Sequence, residues 1–246
     1  MLMVAMYHHI NSDDFGLSNE LQLFREHLLY IKDNFYCVLP GEELSDTNMN
    51  ICLTFDDAYF DFYHYVFPLL KEFNLRAVLG VPVKYIIEAT TLAADTRLSL
   101  KHDDIYKDEN YRTCASFCSY QELQEMSDSG LVKIASHSYT HSNLVEDEVD
   151  MDYELAASKK MLEQKLNTKV DTFILPYGKY NDVILQVAKQ HYRYTMRIGN
   201  GINKDFDGIK GLIYRVKGDG LTSPTSIFSF SSLLKYRYKT FIKSIV

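Results

Sequence analysis

Short apolar runs alternate with stretches of helical periodicity along most of the chain. Leu2 to Met6 reads as a buried strand, and Ser18 to Phe35 as an amphipathic helix with Leu21, Phe24, Leu28 and Ile31 on one face. Tyr36 to Leu39 is a short strand that Pro40-Gly41 ends. Ile51 to Phe55 is another strand, Phe60 to Phe73 a helix, and Arg76 to Val81 a strand closed by Pro82. Over 84–118 the periodicity fades and polar residues dominate, which predicts an inserted loop lying across one end of the molecule. Ser119 and Glu122 then match a capping box, and the helix they open stops near Gly130. The remaining pattern gives a strand from Val132 to Ala135, a helix from Met151 to Leu166, and a strand from Thr172 to Leu175 that ends in Pro176-Tyr177-Gly178. Asn181 caps a helix to His191, and strands follow at Tyr192 to Met196 and Leu212 to Val216. About seven strands interleaved with helices predict an α/β fold, a single-domain, distorted (β/α)7-type barrel over 1–229.

The tail, 230–246, has a different pattern. Leu234, Tyr238, Phe241 and Ile245 form an apolar stripe, while Lys235, Lys239 and Lys243 line another face with Arg237 nearby and no acid among them. Packing of the stripe on the barrel, with the lysines in solvent, is the plainer reading. Peripheral contact with an anionic membrane surface is the other.

Composition narrows the function classes. A net charge of -7 argues against nucleic acid as a partner, since phosphate neutralisation needs clustered Lys and Arg. Cys52 sits in an apolar run as a buried thiol, and Cys114 and Cys118 lack the second pair that a zinc knuckle needs. The first residues have no basic region and reach Tyr7-His8-His9 too soon for a signal peptide, and no apolar run approaches a membrane span. The cytoplasm, with the membrane surface as an option, is the expected location.

Three strand ends carry the chemistry. Thr54-Phe55-Asp56-Asp57 closes one strand, and because successive strand residues face opposite ways, the two carboxylates can hold different tasks. Most Asp-Asp pairs are solvated turns, so the pair alone decides nothing. Ser136-His137-Ser138-Tyr139-Thr140-His141 follows a second strand, and a helical turn would bring both imidazoles to one face. With a carboxylate from the first strand end, they form a two-histidine, one-carboxylate set that leaves coordination positions open. Pro176-Tyr177-Gly178 is a turn that can aim a backbone N–H into the barrel mouth, or an ordinary strand-to-helix connection.

Together these motifs resemble the polysaccharide deacetylases, the NodB-homology carbohydrate esterases. The family's T-F-D-D-[GA] stands here as Thr54 to Ala58, its H-[ST]-x-x-H as His137 to His141, and its P-Y-G turn as Pro176 to Gly178. Tyr7-His8-His9-Ile10 fits the [YW]-H-x-[IV] start of the circularly permuted branch, which resembles poly-N-acetylglucosamine deacetylases. The resemblance implies that Asp57, His137 and His141 hold a divalent metal, zinc first, with cobalt, nickel or iron also compatible. It implies Asp56 as general base, His8 rather than His9 as general acid, and the Tyr177 N–H as an oxyanion donor. Pro176, Gly178 and Tyr59 are expected along the substrate, an N-acylated saccharide. Many family members have an Arg where this chain has Ile174; Arg215 is either its substitute or part of a surface salt bridge. The implied reaction is hydrolysis of an N-acyl group, N-acetyl first, from an amino sugar in a glycan or lipid-linked saccharide. N-deformylation of a lipid-linked sugar and a non-catalytic glycan-binding barrel are the alternatives.

Overall fold

The computed structural model describes residues 1–12, 16–107, 109–146 and 148–245. Seven parallel strands form a closed barrel: β1 (Leu2–Tyr7), β2 (Asn50–Phe55), β3 (Ala77–Val81), β4 (Val132–Ser136), β5 (Thr172–Ile174), β6 (Tyr194–Ile198) and β7 (Ile213–Lys217). Each pairs with its neighbour in chain order, and β1 closes the ring by pairing with both β2 and β7. Tyr36–Cys37 adds a two-residue strand to the start of β2, shorter than the sequence pattern suggests.

Period-two alternation divides these strands between two cores. Leu2, Val4, Cys52, Val78, Ala135, Ile174, Met196 and Ile213 fill the barrel interior. Met3, Ala5, Ile51, Leu53, Phe55, Ala77, Leu79, Ile134 and Phe173 point outward, beneath the helices. The interior series continues upward in steps of two from Cys52 to Thr54 and Asp56, from Ala135 to His137, and from Ile213 to Arg215. The apolar fill therefore gives way to polar groups towards the C-terminal ends of the strands. Gly80 belongs to the same inner layer. A Cβ there would stand 3.0 Å from the Ile174 side chain and 3.5 Å from His137 Cβ, so glycine leaves His137 its room.

The surrounding helices are α1 (Leu21–Asn34), α2 (Phe67–Phe73), α3 (Tyr120–Asp128), α4 (Ser158–Leu166), α5 (Asp182–His191) and α6 (Phe230–Ile245). The capping box of α3 and the Asn181 cap of α5 form as their residues suggest. The first helix starts later than its periodicity implies, because Ser18–Asn19 pairs with His9–Ile10 as a short parallel ladder and Glu20 provides the cap. Two predicted helices begin with π-helical turns, Phe62–Val66 before α2 and Asp152–Ala157 before α4.

Two further differences concern the site and the tail. Within 84–118 the chain forms three single-turn helices, Ala94–Arg97, His102–Ile105 and Asn110–Thr113, rather than featureless loop. Arg97 pins this segment from inside. It is buried, pairs with Glu122 of α3, donates to the carbonyls of Ala115 and Phe117, and lies 3.5 Å from the Phe60 ring centre. On α6 the apolar stripe does not pack on the barrel. The inward face is formed instead by Tyr236, Thr240 and Lys243, and Thr240 exchanges hydrogen bonds with the backbone of Ile202.

Candidate active site

The C-terminal ends of β1, β2, β4 and β7 converge on one polar cluster, where parallel barrels place their chemistry. Asp57, just beyond β2, meets two histidines from beyond β4. Its Oδ1 lies 3.2 Å from His141 Nε2 and 3.6 Å from His137 Nε2. One donor atom from each of these residues lies within 4.8 Å of the others, the only such trio of possible metal ligands among the described residues. His137 turns Nδ1 to the Ile174 carbonyl at 2.8 Å, which orients Nε2 to the cluster.

The second histidine does not arrive by a helical turn. His141 follows a loop in which Ser138 and His141 both have left-handed backbones, with φ of 66° and 59°. Ser138 Oγ accepts the His141 N–H, and Glu154 receives the N–H groups of Tyr139 and Thr140 at 3.0 and 2.9 Å. Asp57, Ala58 and Tyr177 also have positive φ, so five non-glycine residues at one barrel mouth share a costly conformation.

Asp56 faces the other side of the mouth. Arg215 grips it in a fork, Nη1 to Oδ1 at 2.5 Å and Nη2 to Oδ2 at 2.8 Å, and also reaches Thr54 Oγ1 at 3.2 Å. Arg215 is 1% exposed, so its pairing with Asp56 is internal and the surface salt-bridge alternative falls. Burial would raise the Asp56 pKa, but the charges of Arg215 and His137 hold it below the ordinary carboxylate range. Asp57 is depressed in the same sense, burial being outweighed by its two histidines. Burial also lowers His141 to about 4, so its imidazole is neutral near pH 7 and can offer a lone pair.

Of the two adjacent histidines, His8 looks into the mouth. Its Nε2 is 3.8 Å from Asp56 Oδ2, and Asp219 holds its other side, accepting from Nδ1 at 2.8 Å and from the backbone N–H at 2.9 Å. Burial would lower the His8 pKa, but Asp219, helped by Asp56 and Asp57, raises it to about 9. His9 points away, bonded to Asp61 at 2.7 Å and stacked on Tyr59 with ring centres 3.9 Å apart.

Tyr59, expected along the substrate, is buried instead, 1% exposed and covered by His9. Its hydroxyl bonds to Tyr106, whose own hydroxyl donates to Asp57 Oδ1 at 2.8 Å and whose ring stacks on His141. Tyr177, by contrast, is 61% exposed at the rim, with Pro176 and Gly178 buried beneath it. Gly178 is obligatory there, since its φ is +64° and a Cβ would come within 2.6 Å of the Ile198 side chain. Beside Tyr177 and His141 an open groove of about 420 Å³ is lined also by Ser142, Asn143, Glu146 and Lys179. Sequence reasoning did not single out Asp219, Glu154 or Tyr106. Each reaches the site from a separate part of the chain, without a motif of its own.

Comparison with known proteins bears on this arrangement. Residues 45–195 match the polysaccharide deacetylase family model. Among curated proteins, YxkH of Bacillus subtilis is 25% identical over 198 residues, covering 77% of this chain and 61% of that one. The poly-beta-1,6-N-acetyl-D-glucosamine N-deacetylase of Escherichia coli K12 is 24% identical over 215 residues, 73% of this chain and 30% of the relative. The chain thus spans less than two thirds of either relative. Among solved structures, the Streptococcus pyogenes deacetylase PplD superposes with a TM-score of 0.72 at 23% identity, covering 96% of this chain and 97% of that one. A de-N-acetylase from Aggregatibacter actinomycetemcomitans gives 0.69 at 22% identity, covering 96% and 99%. At these identities the structural likeness establishes the barrel fold.

Proposed function

The chain belongs to the polysaccharide deacetylase family, and we propose that it hydrolyses the N-acetyl group from an amino sugar of a glycan. The observation that supports this most is the pairing of two sub-sites on one strand end: Asp57 with two imidazoles, and Asp56 with Arg215 and His8. The family is metal-dependent, and the donor set fits a cation, with an anionic carboxylate, a neutral His141 and a His137 fixed through its other nitrogen. Two imidazoles and one carboxylate suit zinc best. When bound, such an ion polarises the amide carbonyl and a water molecule.

The remaining steps fall to this chain's own groups. Asp56, ionised and aimed by the Arg215 fork, removes the proton from the attacking water. His8, held protonated by Asp219, delivers a proton to the sugar nitrogen as the C–N bond breaks, so the amine leaves neutral. The Tyr177 N–H donates to the oxyanion from its left-handed turn. The groove between His141, Glu146 and Lys179 gives a saccharide a place to lie beside the reacting amide. The poly-N-acetylglucosamine relatives support a glucosamine-containing polymer as substrate.

The deciding assay measures amine release from N-acetylglucosamine oligomers together with bound metal, for the native protein and His137→Ala. Metal-dependent release by the native protein alone supports the reading. Stoichiometric metal without release would point to another acyl group, such as formyl. A protein that takes up no metal after reconstitution would sink the hydrolase reading in favour of a binding barrel.

A further inference from the structure

Helix α6 carries its apolar residues on the side away from the barrel. Phe230, Leu234, Tyr238, Phe241 and Ile245 are 50–78% exposed, and at 100° per residue they fall within about a quarter-turn of arc. Arg237 borders this stripe on one side and Lys235 on the other. The helix has four cations and no acid, in a chain whose net charge is -7. The basic character continues past the helix edge. A groove of about 630 Å³ between α5 and α6 is lined by Lys189, Arg197, Lys210 and Lys243, with Tyr180 and Tyr214 in its wall and Asp182 as its one acid. Tyr180 lies three residues beyond Tyr177, so this groove adjoins the loop that reaches the barrel mouth.

We propose that α6 and this groove dock on the surface of an anionic lipid bilayer, the outward stripe entering the headgroup boundary and the flanking cations meeting lipid phosphates. An apolar face bordered by Lys and Arg, with aromatics at its edge, is the physical form of an interfacial helix. A second copy of the chain fits less well. A two-fold contact through α6 would set the same cations opposite each other with no acid on the helix to answer them. Docking here would present the rim around Tyr177 alongside the membrane.

The test is sedimentation with vesicles of phosphatidylcholine alone and of phosphatidylcholine with about one third phosphatidylglycerol. The native chain is expected to bind the anionic vesicles only, and more weakly as salt rises. Leu234→Ser with Phe241→Ser, and separately Lys235→Glu with Arg237→Glu, should each reduce binding at least about tenfold. All these positions are solvent-facing and none of them lines the metal-ligand cluster or the groove beside Tyr177, so amine release from soluble oligomers should be unchanged. Equal binding to neutral vesicles, or variants that bind like the native chain, would overturn the proposal. So would an absence of vesicle binding together with a dimer in analytical ultracentrifugation that the Leu234→Ser, Phe241→Ser variant dissolves.

Discussion

The two halves of the barrel mouth sit on neighbouring residues of one strand end, yet they balance charge differently. Around Asp56, the charges close on themselves: Arg215 and protonated His8 answer Asp56 and Asp219. Around Asp57 they do not, because its neighbours are the imidazoles of His137 and His141, neither of them a permanent cation like a guanidinium, and the Tyr106 hydroxyl. A buried carboxylate without a permanent cation is costly. One half is therefore complete as built, and the other is shaped to be completed by an ion. The difference separates the tasks of two otherwise identical side chains better than either pKa does, since both carboxylates are depressed.

The largest test of this contrast is Asp57→Ala. It should abolish stoichiometric metal and lower amine release by about 10³-fold or more, checked by elemental analysis beside the assay. If the metal stays while activity goes, the division of roles is wrong. Next comes Arg215→Met, which leaves Asp56 buried without its partner and should cost roughly 3–5 kcal/mol in urea unfolding. Adding Asp56→Asn should restore much of that stability but not the activity, a recovery expected only if the loss comes from the unpaired Asp56 charge.

Asp219→Asn sharpens the comparison through pH. Asp219 raises His8 to about 9, so its loss should move the alkaline limb of kcat/KM down toward the usual histidine range. The sign also holds for stability of the metal-free protein. A raised histidine pKa contributes stability fully present below about pH 6.5 and lost as pH rises through about 9, and the variant should flatten that dependence. The smallest expected effect is that of Tyr106→Phe. It removes one hydrogen bond to Asp57 and should weaken metal affinity about 10- to 100-fold in a competitive chelator titration, while leaving the pH profile in place.

Much of this site could be read from the chain because its groups follow strands. Asp56, Asp57 and His137 lie one or two residues beyond apolar runs, and the turn at Pro176 marks itself by composition. His8 and His9 were separable by strand alternation. What stayed open, as for Arg215, or hidden, as for Asp219, depends on closure of the barrel. Arg215 meets Asp56 from 159 residues away because β7 and β2 both flank β1. Asp219 reaches His8 across 211 residues. The loop path to His141 rests on Glu154, which lies in a π-helical turn that helical periodicity does not distinguish from α-helix. The burial of Tyr59 was hidden for a related reason: adjacency to the Asp pair says where a residue starts, not which neighbour will cover its ring. The tail had the right stripe but the wrong orientation, because the stripe alone does not say which face finds a partner.

Tyr106 arrives on a segment held by single-turn helices, yet it touches both Asp57 and His141. That contact makes the ordering of the segment and the loading of the mouth thermodynamically reciprocal. Whatever free energy the ion gains from an oriented Tyr106 is returned as resistance of 94–107 to local opening, so the two properties should rise and fall together through one hydroxyl group.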